Sequence, residues 1–181
     1  MSEGKVVLET ERVLLREMSL ERDLEPLAAH FGDPETMRFY PSTYPREVAQ
    51  EWIEKNLQRY EEDDFGLWSM VLKDSGGWAG MVGLTWQEID GARYVELGWH
   101  TARRHWGKGL APEAGVACRD HAFDALGIDF LVCITGYENI PSQRAAHKVG
   151  FRPWRATVRA MIPHVVWAME AADRTGSGSL A

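Results

Sequence analysis

The sequence is short of what several chemistries require. Among 181 residues there are two cysteines, Cys118 and Cys133, too few for a disulfide-built secreted domain. Both sit in runs that read as a helix and an apolar strand, where a buried free thiol is expected rather than a nucleophile. The six histidines lack metal-ligand spacing, so no zinc site is predicted. No run approaches the ~20 apolar residues that span a bilayer, and Met1 to Lys5 lack the apolar core of a secretory signal. A soluble, cytoplasmic chain without a membrane partner is expected. Neither G-x-x-x-x-G-K-[ST] nor G-x-G-x-x-G is present. A formal net charge of -7 argues against nucleic acid as the main ligand.

What is present suffices for one core: 45% hydrophobic residues and eight tryptophans, in a length that calls for a single domain. The domain is expected over residues 1–172, followed by a flexible Gly/Ser-rich tail, 173–181. Strand patterns fall at 6–17, 65–72, 80–89, 93–100 and 130–135, then from Phe151 and from Pro163 to Met169. Helical patterns fall at 23–31, 46–60, 114–126 and 142–149, with a turn or short helix from Asp33 to Pro41. These predict an α/β (α+β) fold, a mixed, mostly antiparallel sheet of six to seven strands flanked by about four helices. Charge divides the chain. Residues 1–90 carry 9 Lys+Arg against 19 Asp+Glu, net -10, and residues 91–181 carry 11 against 8, net +3. The basic half suits phosphates and the acidic half a cationic amine, although most surface charge only solvates a fold.

The stretch Arg103-Arg104-His105-Trp106-Gly107-Lys108-Gly109-Leu110-Ala111-Pro112-Glu113-Ala114 lies between a strand pattern and a helix pattern. Gly107 and Gly109 permit positive φ angles and close approach of backbone N–H groups. The helix start adds unpaired donors and the positive end of its dipole, a pocket for phosphate. The stretch resembles the pyrophosphate loop of the GNAT superfamily of acetyl-coenzyme A-dependent N-acetyltransferases, Q/R-x-x-G-x-G/A, met here by Arg104, Gly107 and Gly109. The longer run W-G-K-G-L-A-P-E-A and the opening phrase L-E-T-E-R-V-L-L-R resemble the ribosomal-protein N-terminal (alanine/serine) acetyltransferases. A later run, Asn139 to Phe151, matches the superfamily's N-x-x-S-x-x-x-x-x-K-x-G-F, which flanks the pantetheine arm.

The resemblance implies a single-domain GNAT fold, acetyl-coenzyme A as co-substrate, no metal, and direct attack by a primary amine. It assigns Arg103 to Ala111 together with Asn139, Ser142 and Lys148 to the cofactor. Many members place a tyrosine, acid to the leaving thiolate, where this chain has Ala146. In the ribosomal-type branch the serine of the second motif takes that place, here Ser142, and Tyr137 is a second candidate by proximity. Read without the family, Asn139 or Ser142 is a helix N-cap. An alkyl amine, pKa ~10, must lose a proton before attack, and Glu96 in V-E-L-G-W is the candidate base. Glu96 reads equally well as a surface glutamate pairing across its strand. The acceptor is expected over the amino-terminal half, against Phe39, Tyr40, Tyr44, Trp52 and Trp86, as a peptide N-terminal amine or a small cationic amine drawn in by the acidic surplus. A coenzyme A-binding regulatory module and a plain structural domain are the alternatives to an enzyme, and the assembly is expected to be a monomer or homodimer.

Overall fold

The opening run expected as one strand folds back on itself. In the computed structural model, which describes residues 4–176, the Thr10 N–H and hydroxyl both donate to the Val13 carbonyl at 2.9 and 3.2 Å. That turn separates strand β1, Val6–Glu9, from strand β2, Val13–Arg16, which pair antiparallel. The extra reversal raises the sheet to eight strands, one more than the upper end of the expected six to seven.

The remaining elements are helices α1, Leu20–Gly32, and α2, Arg46–Glu62; strands β3, Leu67–Leu72, β4, Trp78–Ile89, and β5, Ala92–Thr101; helix α3, Leu110–Asp124; strand β6, Phe130–Gly136; helix α4, Ile140–Val149; and strands β7, Arg152–Arg159, and β8, Ile162–Glu170. Of the turn or short helix expected from Asp33 to Pro41, the structure shows a series of turns, begun by Asp33, whose carboxylate accepts from the Glu35 N–H and the Thr36 hydroxyl. Helix α3 starts at Leu110 rather than Ala114, directly after Gly109. Of the expected tail, residues 173–176 lie in a 3-10 turn, Ala171–Gly176, where Arg174 reaches Asp124 at 2.7 Å; the rest lies outside the described residues. No described helix is long and apolar enough to cross a membrane.

The sheet runs β1-β2-β3-β4-β5-β6-β8-β7, and only β5 and β6 are parallel. Alternation along each strand divides its side chains between two layers. Val95, Leu97, Leu131 and Cys133 meet Ala114, Cys118 and Ala122 of α3 on one face. On the other, Leu67 and Met81 meet Leu24, Leu27 and Phe31 of α1 and Ile53 of α2. Asp23, 1% exposed, ties α1 to this face. Its carboxylate accepts two bonds from Arg16 at 2.8 and 3.0 Å, one from Ser69 and one from the Ser19 N–H, so the buried charge is fully met. The β7–β8 hairpin turns at Ala160 and Met161, both with positive φ (47° and 63°) and neither a glycine.

Candidate active site

Strands β5 and β6 pair only at Val95–Leu131 and Glu96–Val132, although β5 runs on to Thr101 and β6 to Gly136. Their facing edges therefore part, and a cleft of about 800 Å³ opens there. Unpaired strand edges present N–H and C=O groups to whatever enters.

The glycine loop forms one end of the cleft. Gly107 and Gly109 have φ of 74° and 77°, the region in which a β-branched residue is strained. The N–H groups of His105, Trp106 and Lys108 are engaged in the turn itself. Those of Gly107, Gly109, Leu110 and Ala111 make no hydrogen bond among the described residues, and all four residues line the cleft. Four free donors at a helix start fit a pyrophosphate. The cations expected to help are turned elsewhere. Arg103 faces Asp33 at 3.6 Å; Arg104 donates to the Trp78 carbonyl at 2.6 Å and to His105 Nε2 at 3.0 Å; Lys108 is exposed and outside the lining. The two arginines hold the loop rather than face the cleft. His105 and Trp106 do line it.

A residue the sequence reading passed over fixes the loop. Glu113, in the first turn of α3, accepts from the Thr10 hydroxyl (2.6 Å), the Arg12 N–H (2.9 Å) and Arg12 Nε (2.6 Å), while Arg12 Nη1 donates to the Lys108 carbonyl (2.8 Å). Burial pushes the Glu113 carboxyl upward, but these donors hold it below its usual value. The T-E-R of the opening phrase and the P-E-A after the loop are thus two halves of one clamp.

On α4, Asn139 Oδ1 accepts from the Ser142 N–H at 3.2 Å, so Asn139 is the helix cap and the Ser142 side chain stays uncommitted. Asn139, Ser142 and Lys148 line the cleft. Tyr137, 66% exposed, does not; proximity in sequence had suggested it, and the turn into α4 carries it outward.

Alternation answers the question of Glu96. Val95 and Leu97 face α3, so Glu96 faces the cleft with Gly98 and His100; it is not a surface glutamate. Burial pushes its carboxyl up to about 7, against the pull of Arg159, the Ile134 N–H, Gln87 and Arg59. The same parity corrects Trp86. Its neighbours Thr85 and Gln87 line the cleft, whereas Trp86 points to the other side, against Phe65 and under Arg93. Phe39, Tyr40, Tyr44 and Trp52 do line the cleft. Two histidines absent from the expectation join them. Tyr40 stacks on His100, rings 5.4 Å apart, with its hydroxyl 3.2 Å from Nε2. Burial and His30 lower His100 to about 3, and burial lowers His30 to about 4 against the attraction of Asp33, so both are neutral at pH 7. His30 Nε2 and Trp52 Nε1 are buried without a partner.

The acidic surplus of residues 1–90 does not enter. Glu96 is the only carboxylate among the lining residues, against Arg38, Arg59, Arg144, Lys148 and Arg159. Apart from Asp23, buried between α1 and the sheet, the Asp and Glu side chains of α1 and α2 face water or surface arginines such as Arg46. No group of side chains able to hold a metal occurs among the described residues. Cys133 reaches the lining, but burial, reinforced by Glu96, raises its thiol well above its usual value and keeps it protonated.

Residues 12–152 match the family profile described as "Acetyltransferase (GNAT) domain". The chain is 32% identical over 157 residues to "Uncharacterized protein YkkB" of Bacillus subtilis (strain 168), covering 86% of this chain and 90% of that one. It is 29% identical to "Uncharacterized N-acetyltransferase p20" of Bacillus licheniformis, over 80% and 82% of the two chains. The fold superposes on the crystal structure of an acetyltransferase from Agrobacterium tumefaciens str. C58 with a TM-score of 0.80, at 24% identity, over 94% and 97% of the chains.

Proposed function

The chain belongs to the GNAT acetyltransferase family and is an acyltransferase; on that premise we propose that it moves an acetyl group from acetyl-coenzyme A to a primary amine by direct attack. Acetyl-coenzyme A, the family's general co-substrate, supplies the thioester. The observation that carries the reading is Glu96, a carboxylate raised to about 7 and facing the gap between β5 and β6. A base poised near the operating pH accepts a proton without being permanently charged.

Each residue then has one task. The free N–H groups from Gly107 to Ala111 hold the pyrophosphate. Glu96 takes the proton that the attacking nitrogen loses as its bond to the acetyl carbon forms. Ser142 donates a hydrogen bond to the sulfur as the carbon–sulfur bond breaks, which suffices for a thiol of pKa ~8.5. Free N–H groups on the parted edge of β5 meet the carbonyl oxygen. Neither cysteine takes part. The resemblance of the loop and opening phrase to ribosomal-protein N-terminal acetyltransferases favours a peptide N-terminal amine, entering over Phe39, Tyr40, Tyr44 and Trp52. A small polycation is disfavoured by the five cations of the lining. The cytoplasm, reducing enough to keep Cys118 and Cys133 as thiols, is the proposed site of action.

Release of free coenzyme A, measured with peptides and small amines as acceptors, tests this. Activity should rise with pH through about 7 as Glu96 ionises, and Glu96→Gln should lower kcat by roughly 10²–10⁴-fold and remove that limb. Near-native kcat in a folded Glu96→Gln protein removes Glu96 as base. Acetyl-coenzyme A binding with no release for any amine would leave the regulatory-module reading in its place.

A further inference from the structure

Two guanidinium groups attract Glu96 without contacting it or any other carboxylate in a salt bridge. Arg59 of α2 and Arg159 at the tip of the β7–β8 hairpin both line the cleft and form no salt bridge among the described residues. Arg59 gives one bond, from Nη1 to Asn56 Oδ1 at 3.2 Å. Arg159 gives two, to Gln87 Oε1 and the Glu88 carbonyl, both at 2.9 Å. A guanidinium carries five N–H donors, so each side chain keeps donors in reserve. The other lining cations are accounted for differently: Arg38 is paired with Glu35, and Arg144 and Lys148 sit on α4 beside Ser142. Trp52, two helical turns before Arg59 on the same face of α2, adds an indole N–H that is buried and unpartnered. Beyond the acceptors Glu96 and Gln87, this wall therefore offers donors that nothing on it meets.

Trp52 Nε1 is a buried donor without a partner, which is costly, and Arg59 and Arg159 are half-buried with donors to spare; a ligand that supplies oxygen atoms meets all three. A polyamine brings only further donors and positive charge. We propose that the acceptor amine carries a carboxylate a few bonds from its nitrogen, bound between Arg59 and Arg159 while the nitrogen lies at Glu96. This rests on the acetyl-transfer reading of the cleft and narrows its acceptor. The carboxylate has two sources, the free α-carboxylate of an amino acid or an acidic side chain near the N-terminus of a peptide. In either case the fork geometry of arginine matches the two oxygens.

The test uses matched acceptors that differ only in the carboxylate: an amino acid against its amide, and a peptide with glutamate at its first or second position against the glutamine form. Coenzyme A release should favour the carboxylate member of at least one pair by roughly 10–100-fold in kcat/KM, the effect of losing a hydrogen bond to a charged group. The pair that shows it identifies the source. Arg59→Gln should bring that ratio toward one, mainly through KM, and Arg59→Lys should restore part of it. Acetyl-coenzyme A affinity, measured by calorimetry, reports that the variants are folded. Calorimetric titration of the same amines into protein saturated with coenzyme A gives a readout independent of turnover. Tighter binding of carboxylate amines that Arg59→Gln abolishes supports the subsite even where no coenzyme A is released, a result that would count against the transfer reading alone. Equal kcat/KM and equal binding within every pair, a preference for the amide, or a ratio unchanged by Arg59→Gln overturns the proposal.

Discussion

The two walls of the cleft are made of different material. On the side proposed for the coenzyme the available groups are backbone N–H donors, set by two left-handed glycines and clamped from behind by Glu113. On the side proposed for the acceptor they are side chains, His30, Tyr40, Trp52, Arg59, His100 and Arg159, hung on α1, the turns after it, α2, β5 and the β7–β8 hairpin. A backbone site depends on chain geometry and tolerates little change. A side-chain site can be rewritten one residue at a time. The difference teaches where a shared reaction is kept and where a particular acceptor is chosen.

The sharpest way to break the comparison is Gly109→Val. Nothing crowds a Cβ there more closely than Arg12 Nη2 at 3.5 Å, so the effect comes from φ alone. A strain of about 1–3 kcal/mol, roughly 5- to 150-fold, should appear in acetyl-coenzyme A affinity by calorimetry while preference among amines is kept. Unchanged affinity in the folded variant would show that the backbone does not hold the cofactor. Glu113→Gln should weaken the same affinity less, by about 1 kcal/mol or fivefold, because Arg12 is 45% exposed and water screens the lost charge. An effect on amine KM instead would mean that the clamp serves the other wall.

The smallest effect separates the walls by pH. His30 and His100 are held neutral in the folded chain, at about 4 and about 3, while in the unfolded chain they take up protons near ~6.5. Their contribution to stability is therefore complete above pH 6.5 and is lost as pH falls toward 4. His30→Phe should make the decline of Tm between pH 6.5 and 4 shallower, with His100 and the burial-lowered His105 and His121 supplying the rest. An identical slope would show that the histidines are not the acid-sensitive part of the fold.

These contrasts also explain what could be read in advance. The loop, the α4 cap and the antiparallel run β3-β4-β5 follow from local signals: glycines before a helix, Asn139 ahead of a first turn, Asp74 to Gly77 and Asp90-Gly91 as hairpin turns. The β1–β2 reversal was hidden because its turn contains no glycine or proline and its Glu113 partner is about a hundred residues away. Trp86 and Tyr137 were chosen by size and by nearness, and strand parity and exposure removed them; counting alternation from Val95 would have selected Gln87 instead. Arg59 could have been found from its seven-residue spacing to Trp52, had the acidic sum of its helix not drawn attention to charge rather than to face. Arg159 gave no local signal at all, since its place depends on a turn that no turn-forming residue announces.

That turn has one more consequence. Ala160 and Met161 keep left-handed φ angles without glycine, and Met161 is 94% exposed, so the tip is sustained by the β7–β8 ladder behind it and by Arg159 reaching across to Gln87 and the Glu88 carbonyl. The glycine loop is anchored elsewhere, through Glu113 to the first turn of the chain. On the proposed reading the hairpin is an exchangeable part: grafting a tip of another length or charge onto the same two strands should change which molecules are admitted, and leave the glycine loop and its anchor in place.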